Sequence, residues 1–209
     1  SFGKQPKENK TMKYGDLTLG QTEALVNKLG GLDVVKGILS GKLTLTVARM
    51  ARISDLLSPV TTVKIPATGK FFASDHFTTN IKAVKFAWFG DNFKQHFLHK
   101  EEAPQGEVEL KVSKLKKNSL DKPLLDELGD KAETTLVSIW ELLKKQPNGK
   151  QQGTLLTNGC ANSFYVRDSK GVLWAVYVFW DSDGWLVDAY SVENPGEWGD
   201  GYLIFSRNS

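Results

Sequence analysis

The chain has 209 residues, of which 40% are hydrophobic and 24% are charged, with a formal net charge of +3. This composition excludes extensive disorder and allows a sizeable core, in one domain or in one domain with a small appendage. The single cysteine, Cys160, excludes a disulfide-stapled secreted fold and favours a reducing cytoplasm. No apolar run approaches the roughly twenty residues that a membrane span needs, so we expect a cytoplasmic protein with no membrane partner.

Charge is distributed unevenly along the chain. Residues 1–100 contain 15 Lys and Arg against 7 Asp and Glu, whereas residues 101–209 contain 12 against 17. The halves therefore carry about +8 and −5. This asymmetry fits either an anion-binding front half or two complementary surfaces of one fold. The cations are scattered, which favours the second interpretation and leaves weak, nonspecific nucleic-acid binding as the expectation.

A helical hairpin is predicted near the N-terminus. Thr18 and Gln21 form a capping box, Gly30 and Gly31 end the first helix, and Asp33 is expected to cap a second short helix. Residues 43–57 are ambiguous between strand and helix, and a helix after Val47 is favoured. The flanking cations invite a helix-turn-helix interpretation, but the second helix offers no Arg, Asn or Gln to read base edges. The cations that nucleic-acid binding would involve are Lys28, Lys36, Lys42, Arg49 and Arg52.

The middle of the chain predicts alternating strands and helices. A β-branched run at 60–65 between two prolines places a domain boundary near residue 58, with a basic helical unit at 1–57 and an α+β domain at 58–209. Further strands are predicted at 81–89 and 108–112. Asp91 is predicted to cap a short helix, and further helices are predicted over 120–128 up to Gly129 and over 131–145 with Asp130 and Glu133 at its start.

Half of the chain's aromatic residues lie in its last forty-six positions. They fall in short runs at 164–166, 172–180, 185–192 and 202–205, with turn residues between them, which predicts consecutive antiparallel strands. Both alternating sets of side chains in 172–180 are apolar, so this strand should be interior to the sheet. The predicted fold class is α+β: an N-terminal helical hairpin unit followed by a domain with a C-terminal antiparallel β-meander covered by helices.

Motifs for catalysis, metals and cofactors are absent from the sequence. His96 and His99 would share a helical face, but without partner spacings typical of metal sites they are interpreted as surface groups. Asp181, Asp183 and Gly184 are better explained by a hairpin turn with a positive φ at Gly184 than by a calcium loop. No GxSxG, SxxK, P-loop or dinucleotide loop occurs, so neither a catalytic residue nor a cofactor is predicted.

Four parts of the chain carry recognisable motifs: TLGQTEALVNKLGG at 18–31, DNFK at 91–94, LLTNG at 155–159 with FYVRDSKGVL at 164–173, and WGDGY at 198–202 with FSRN at 205–208. In these motifs the chain resembles a family of uncharacterised bacterial proteins from small genomes of uncultured lineages. The resemblance spans nearly the whole chain and implies a bacterial cytoplasmic protein. The family has no assigned activity, fold or ligand, so the resemblance identifies no functional residue.

The sequence favours a non-enzymatic binding or interaction module with a protein or small-ligand partner. The alternative is a small hydrolase or nuclease whose residues converge only in three dimensions on the C-terminal sheet. The candidate ligand-binding residues on that sheet are Tyr165, Arg167, Asp188, Glu193 and Arg207. A cleft that contains Arg167 and two carboxylates would favour the enzyme, whereas a flat aromatic patch around 174–185 would favour the binding protein.

Overall fold

The computed structural model of the protein describes residues 16–44, 54–194 and 196–208. The chain divides into two compact units, Ser1–Arg52 and Ile53–Ser209. The prediction of a helix after Val47 falls on residues 45–53, which lie outside the described residues. Among the described residues, none of the helices has the length and apolar character required to cross a membrane.

The first unit contains two helices, α1 (Leu19–Lys28) and α2 (Leu32–Leu39). The capping box of α1 is confirmed, because the Gln21 N–H donates to the Thr18 hydroxyl over 3.2 Å and the Thr18 N–H donates to the Gln21 side chain over 2.9 Å. The predicted cap of α2 is wrong. Gly31, with a φ of 93°, occupies the cap position and Asp33 lies in the first turn, because a chain reversal in the left-handed region favours glycine.

The second unit is built mainly from strands. These are β1 (Leu57–Ile65), β2 (Phe71–Phe72), β3 (Phe86–Phe89), β4 (Glu101–Glu102), β5 (Val108–Leu115), β6 (Glu133–Thr134), β7 (Asn162–Arg167), β8 (Leu173–Asp181), β9 (Gly184–Ser191) and β10 (Leu203–Arg207). Its helices are α3 (Ala73–His76), α4 (Asp91–Phe97), α5 (Asp121–Leu128) and α6 (Leu136–Lys145). Since β1 begins at Leu57, the predicted division between residues 57 and 58 falls at the first residue of this strand.

Eight strands form one mixed sheet in the order β1-β5-β10-β7-β8-β9-β3, with β6 pairing alongside β7. The predicted antiparallel meander is correct for β7, β8 and β9. It is wrong for the sheet as a whole, because β10 pairs in parallel with β7, β3 with β9 and β6 with β7. The short turn at 182–183 forces antiparallel pairing, whereas the longer connection at 192–202 allows the chain to cross the sheet and return in parallel.

The interior position of β8 is confirmed by its two neighbours. Phe164 of β7 faces Val176, and Val187 of β9 faces Val178 on the other side. The hairpin predicted between β8 and β9 is also confirmed, with Asp181 paired to Gly184 and a φ of 150° at Gly184. Strand β8 therefore lies between two hydrogen-bonded neighbours. The cover on both faces that its doubly apolar run also predicts is incomplete, because Tyr177 and Phe179 remain partly exposed on the second face.

Each face of the sheet has its own apolar cluster. The first face packs against α4 and α6, and its cluster includes Phe93, Phe97, Ile139, Trp140, Leu143, Phe164, Val176, Val187 and Phe205. The second face packs against α5, and its cluster includes Leu115, Leu124, Ala175, Tyr165, Trp198 and Ile204. Each face thus has helical cover over at least part of its area.

Two predicted elements begin later than the sequence indicates. Strand β3 covers only the end of the predicted 81–89 strand, because ahead of it the Lys85 N–H donates to the Pro147 carbonyl over 2.7 Å. Helix α6 begins at Leu136 rather than at residue 131, because β6 pairs with β7. The buried Glu102 carboxylate accepts the N–H groups of Leu136 and Val137 over 3.0 and 2.9 Å, which satisfies the free donors of the first turn.

Gly184 allows β3 and β9 to approach each other closely. A Cβ atom at this position would lie 2.8 Å from the Lys85 carbonyl oxygen and 2.9 Å from the Ala87 nitrogen. We expect Gly184→Ala to lower the free energy of unfolding by about 3–4 kcal/mol, because backbone strain and displacement of β3 act together. Urea denaturation followed by tryptophan fluorescence measures this change.

Gly171 is the matched control for Gly184→Ala. It has a φ of 81°, and its Cβ position has no atom within 4 Å. Gly171→Ala should therefore cost only about 1 kcal/mol, from backbone strain alone. Equal losses in the two variants would show that the approach of β3 to β9 does not constrain Gly184.

Candidate functional site

The five residues predicted as ligand contacts are spread over both faces of the sheet. Tyr165 belongs to the second-face cluster, and Arg167 lies on the same face two residues along β7. Arg207 follows the first-face residues Leu203 and Phe205 at two-residue spacing, so it lies on the first face, opposite to Tyr165. Asp188 lies within β9, and Glu193 is exposed just beyond the end of β9. The structure therefore does not bring the five together.

Tyr165 contributes to a buried hydrogen-bonded group with Asp121 and Trp198. The Tyr165 hydroxyl and the Trp198 indole N–H both donate to Asp121 Oδ1, over 2.8 and 2.6 Å. Asp121 is 0% exposed, and within the described residues its Oδ2 has no hydrogen-bond partner. Burial raises the pKa of the Asp121 carboxyl, and the two hydrogen bonds offset only part of that rise. Both donors are neutral, so this environment favours the protonated acid.

The chemistry of Tyr165 follows from the same environment. Burial raises the pKa of Tyr165 far above its usual range, and the adjacent Asp121 raises it further. The phenol therefore stays protonated and cannot act as a general base near neutral pH. Its hydroxyl joins β7 to the beginning of α5, which is a structural role.

Both candidate arginines have local partners. Arg167 donates from Nε to Glu133 over 2.9 Å and from Nη1 to the Gly171 carbonyl over 2.8 Å. Arg207 donates to the carbonyl of Asp130. An exposed pair such as Arg167 and Glu133 contributes little to stability, and it leaves the guanidinium already neutralised.

Arg207 also lines an open depression of about 630 Å³. Lys64, Glu107, Val108 and Glu109 complete its lining. Lys64 and Glu107 form an ion pair at 3.2 Å with both side chains largely exposed. The depression thus presents charges of both signs around a single apolar residue, Val108, which is a poor basis for ligand selectivity.

The Asp188 side chain packs against the first turn of α4. A Cβ atom on Gly90 would clash with the Asp188 carboxyl group, so the carboxylate packs directly on the Gly90 backbone. One of its oxygens accepts the N–H of Ala189 over 2.8 Å and that of Phe93 over 3.4 Å. The cap residue of α4 is Gly90, so the predicted cap at Asp91 is wrong. The Asp188 carboxylate packs against position 90, where a larger residue would displace it.

The two histidines that were predicted to be surface groups, His96 and His99, lie in different environments. His99 is exposed, as predicted. The prediction of a surface group is wrong for His96, whose side chain is 19% exposed and lies on Trp174 with ring centroids 4.1 Å apart. His96 Nδ1 is 3.4 Å from Asp168 Oδ2. No cluster of three or more potential metal ligands occurs among residues 16–44, 54–194 and 196–208.

Asp168 organises the turn between β7 and β8. Its carboxylate accepts the N–H groups of Lys170 and Val172 over 2.8 and 2.9 Å, and the indole N–H of Trp174 over 3.2 Å. Burial alone would raise the pKa of Asp168, but these hydrogen bonds and the one from His96 hold it below its usual range. A histidine oriented by a carboxylate resembles a general base. In the described part of the chain, however, His96 has no hydroxyl or thiol partner to activate.

The second face is open over β8, β9 and β3. We name its exposed and partly exposed side chains the open aromatic face, which consists of Trp88, Tyr177, Phe179, Leu186 and Tyr190. Phe179, Leu186 and Trp88 lie in one row across the three strands, because Leu186 pairs with both of the others. Trp88 is 45% exposed and Tyr190 is 41% exposed. This surface combines large aromatic side chains with a rigid strand scaffold.

Ring packing holds the open aromatic face in one arrangement. The Tyr177 ring stacks between Phe179 and Tyr190, with centroids 6.1 and 5.0 Å away. The buried Trp198 ring lies 5.7 Å from Tyr177 and closes one side. Burial raises the pKa of Tyr177 beyond its usual range, and the Tyr190 hydroxyl and the Asp188 carboxylate raise it further. The Tyr177 hydroxyl therefore remains protonated at any physiological pH.

Sequence reasoning missed Trp88 and Asp121. Trp88 lies in an apolar run that predicts a strand, but the run does not show which of its aromatic residues remains uncovered. Asp121 looks like an ordinary acidic residue in the first turn of a helix. Neither position carries a local signal, since their roles depend on β9, β7 and the loop that contains Trp198.

Comparison with known proteins finds no relative. No protein-family model matches the chain, and no curated protein or solved structure shows significant similarity to it. Function must therefore be inferred from the residues and their geometry.

Proposed function

We propose that this chain is a non-enzymatic binding protein that docks its partner on the open aromatic face. The observation that carries the proposal is the exposure of Trp88 and Tyr190, 45% and 41%, on the neighbouring strands β3 and β9. Grouped aromatic side chains in water leave apolar area that a partner can bury. Trp and Tyr are also enriched among the residues that contribute most to binding energy.

Rigidity of the scaffold supports the same proposal. Strand β9 is hydrogen-bonded on one side to β8 and on the other to β3. Stacking of Tyr177 against Tyr190 and Phe179 further restricts these rings. Binding to a surface that is ordered in advance costs little side-chain entropy, which favours affinity.

The alternative function, a small hydrolase or nuclease, requires titratable groups that converge around a substrate. The candidate groups instead have structural partners. Arg167 pairs with Glu133, Tyr165 bonds to Asp121, and Asp188 packs on the beginning of α4. These contacts favour the binding function over the enzymatic one.

Small organic probes test the docking surface without a known partner. We expect titration of ¹⁵N-labelled protein with phenol and with isopropanol to shift the Trp88 indole signal and the amides of 177–190 first, because apolar probes collect where partners bury area. Two-dimensional NMR spectra recorded along the titration measure these shifts.

Two single substitutions test whether the probes bind to this surface or to any exposed apolar residue. Tyr190→Ala should weaken phenol binding, whereas Val60→Ala, at a 56% exposed position on β1, should not. Shifts centred instead on the depression lined by Lys64 and Arg207, or spread evenly over the chain, would contradict the proposal.

A further inference from the structure

The elements that form the open aromatic face carry acidic residues and no basic ones. Residues 171–206, which include β8, β9 and most of β10, contain six carboxylates and no Lys, Arg or His: Asp181, Asp183, Asp188, Glu193, Glu197 and Asp200. Strand β3, which borders the face, is uncharged. Lys85, just before β3, accepts the Trp185 N–H at its carbonyl over 2.8 Å and places one basic residue near the turn between β8 and β9. The strands of the face themselves combine aromatic area with acidic residues alone.

Three of these carboxylates lie at the two ends of the open aromatic face. Asp181 and Asp183 are in or beside the turn between β8 and β9, at one end, and Glu193 follows β9 at the other end. Glu197 and Asp200 lie to one side of the face, next to Asn118, where β5 ends and β10 begins. At about 3.3 Å per residue, β9 separates the two ends by about 23 Å. Asp188, between them, is already held at the beginning of α4.

Apart from Asp188, all of these carboxylates are exposed. None of the six forms an ion pair within the part of the chain that the structure describes; the pairs found there involve other acids. Glu197 accepts a hydrogen bond from the Asn118 amide over 3.2 Å, which leaves its charge uncompensated. A cationic partner would find free acceptors at each end of an apolar centre.

We infer that the partner of the open aromatic face is a protein segment with an apolar centre and basic residues at both ends. This inference rests on the proposed function. An extended segment of about seven residues spans the two acidic ends. Its apolar side chains would cover Trp88 and Tyr190, while its Lys or Arg side chains would pair with the carboxylates. Nucleic acid is disfavoured here, because its phosphates would meet mainly like charge.

Synthetic peptides of about ten residues test the inference, with a Val, Leu and Tyr centre and two lysines at each end. The first control replaces every lysine by glutamate, and the second gathers all lysines at one end. We expect the two-ended lysine peptide to bind at least about tenfold more tightly than either control in calorimetry at about 50 mM salt. The advantage over the glutamate peptide should fall to about threefold near 500 mM salt, because exposed charges are screened.

Charge-neutralising variants locate the binding site of the lysine peptide. Asp181→Asn with Asp183→Asn should weaken its binding by about fivefold or more, and Glu193→Gln at the other end should weaken it by about threefold or more. The matched control is Glu107→Gln with Asp126→Asn, which removes the same charge from other surfaces and should leave the affinity within about twofold.

The outcomes separate the inference from the proposed function. Equal binding of lysine and glutamate peptides, with Tyr190→Ala weakening both, would overturn the inference and leave the proposed function standing. Equal binding of the one-ended and two-ended lysine peptides would overturn the two-ended arrangement. No binding of any peptide, together with phenol and isopropanol shifts outside the open aromatic face, would overturn both.

Discussion

Replacing Trp185 by alanine is expected to lower the free energy of unfolding by about 4–5 kcal/mol. Trp185 is 0% exposed in the first-face cluster, at the beginning of β9. Its indole N–H donates to the Gln146 carbonyl over 2.8 Å, so the substitution leaves a cavity and removes one of the two hydrogen bonds to that carbonyl, which also accepts the Gly149 N–H over 3.2 Å. Because typical domains are stable by only about 5–15 kcal/mol, the variant should lose a large share of its stability. Urea denaturation measures the loss.

Two further substitutions show what Trp185 contributes. Trp185→Phe keeps most of the apolar volume and removes only the N–H donor, so about half of the loss should remain. Trp88→Ala, on the adjacent strand but 45% exposed, should cost less than about 1 kcal/mol. If Trp88→Ala destabilises the protein as much as Trp185→Ala, Trp88 is a core residue and the open aromatic face is closed.

The stability of the protein is expected to depend on the ionisation of Asp121. Burial raises the pKa of this carboxyl above its ordinary value of 3.8 in the folded chain. At a pH between the pKa of Asp121 in the unfolded chain and its higher pKa in the folded chain, the folded chain holds a proton that the unfolded chain has released. The free energy of unfolding therefore falls as pH rises, by about 1.4 kcal/mol for each pH unit of that window, and the loss is complete above the folded pKa.

Asp121→Asn removes this dependence while keeping an oxygen for the Tyr165 and Trp198 donors. We expect the stability of the variant relative to wild type to increase steadily as pH rises from about 4 to the folded pKa of Asp121, and then to level off. Urea denaturation at successive pH values measures the difference. The matched control is Asp126→Asn on the same helix, where an exposed carboxylate pairs with Lys122, and its pH profile should follow wild type. Parallel profiles for all three proteins would show that Asp121 ionises normally.

Asp121 also supports the proposed binding surface. It holds the Trp198 indole, and the Trp198 ring packs on Tyr177 and lies 6.0 Å from Tyr190. The same loop places Glu197 and Asp200 next to Asn118, to one side of the open aromatic face. Loss of the Asp121 hydrogen bonds should therefore loosen one side of this surface before it disturbs the opposite face of the sheet, which packs on α4 and α6.

The sequence by itself determined the elements whose causes are local. The capping box at Thr18, the turns around Gly171 and Gly184, and the doubly apolar run of β8 each depend on residues within a few positions of one another. Strand β8 was predictable as interior because neither of its faces suits water. The hairpins β7-β8 and β8-β9 follow, since short turns permit only antiparallel neighbours.

Only the tertiary structure decided the features that join distant parts of the chain. Strand β10 returns in parallel beside β7 after a long connection, and the beginning of α6 is set by Glu102, a residue of β4. The bonds from Tyr165 and Trp198 to Asp121 span 44 and 77 positions. Pairings over such separations depend on loop closure and packing, which leave no periodic signal in the chain. For the same reason, the exposure of Trp88 follows from where α5 ends its cover of the sheet and not from the apolar run that contains it.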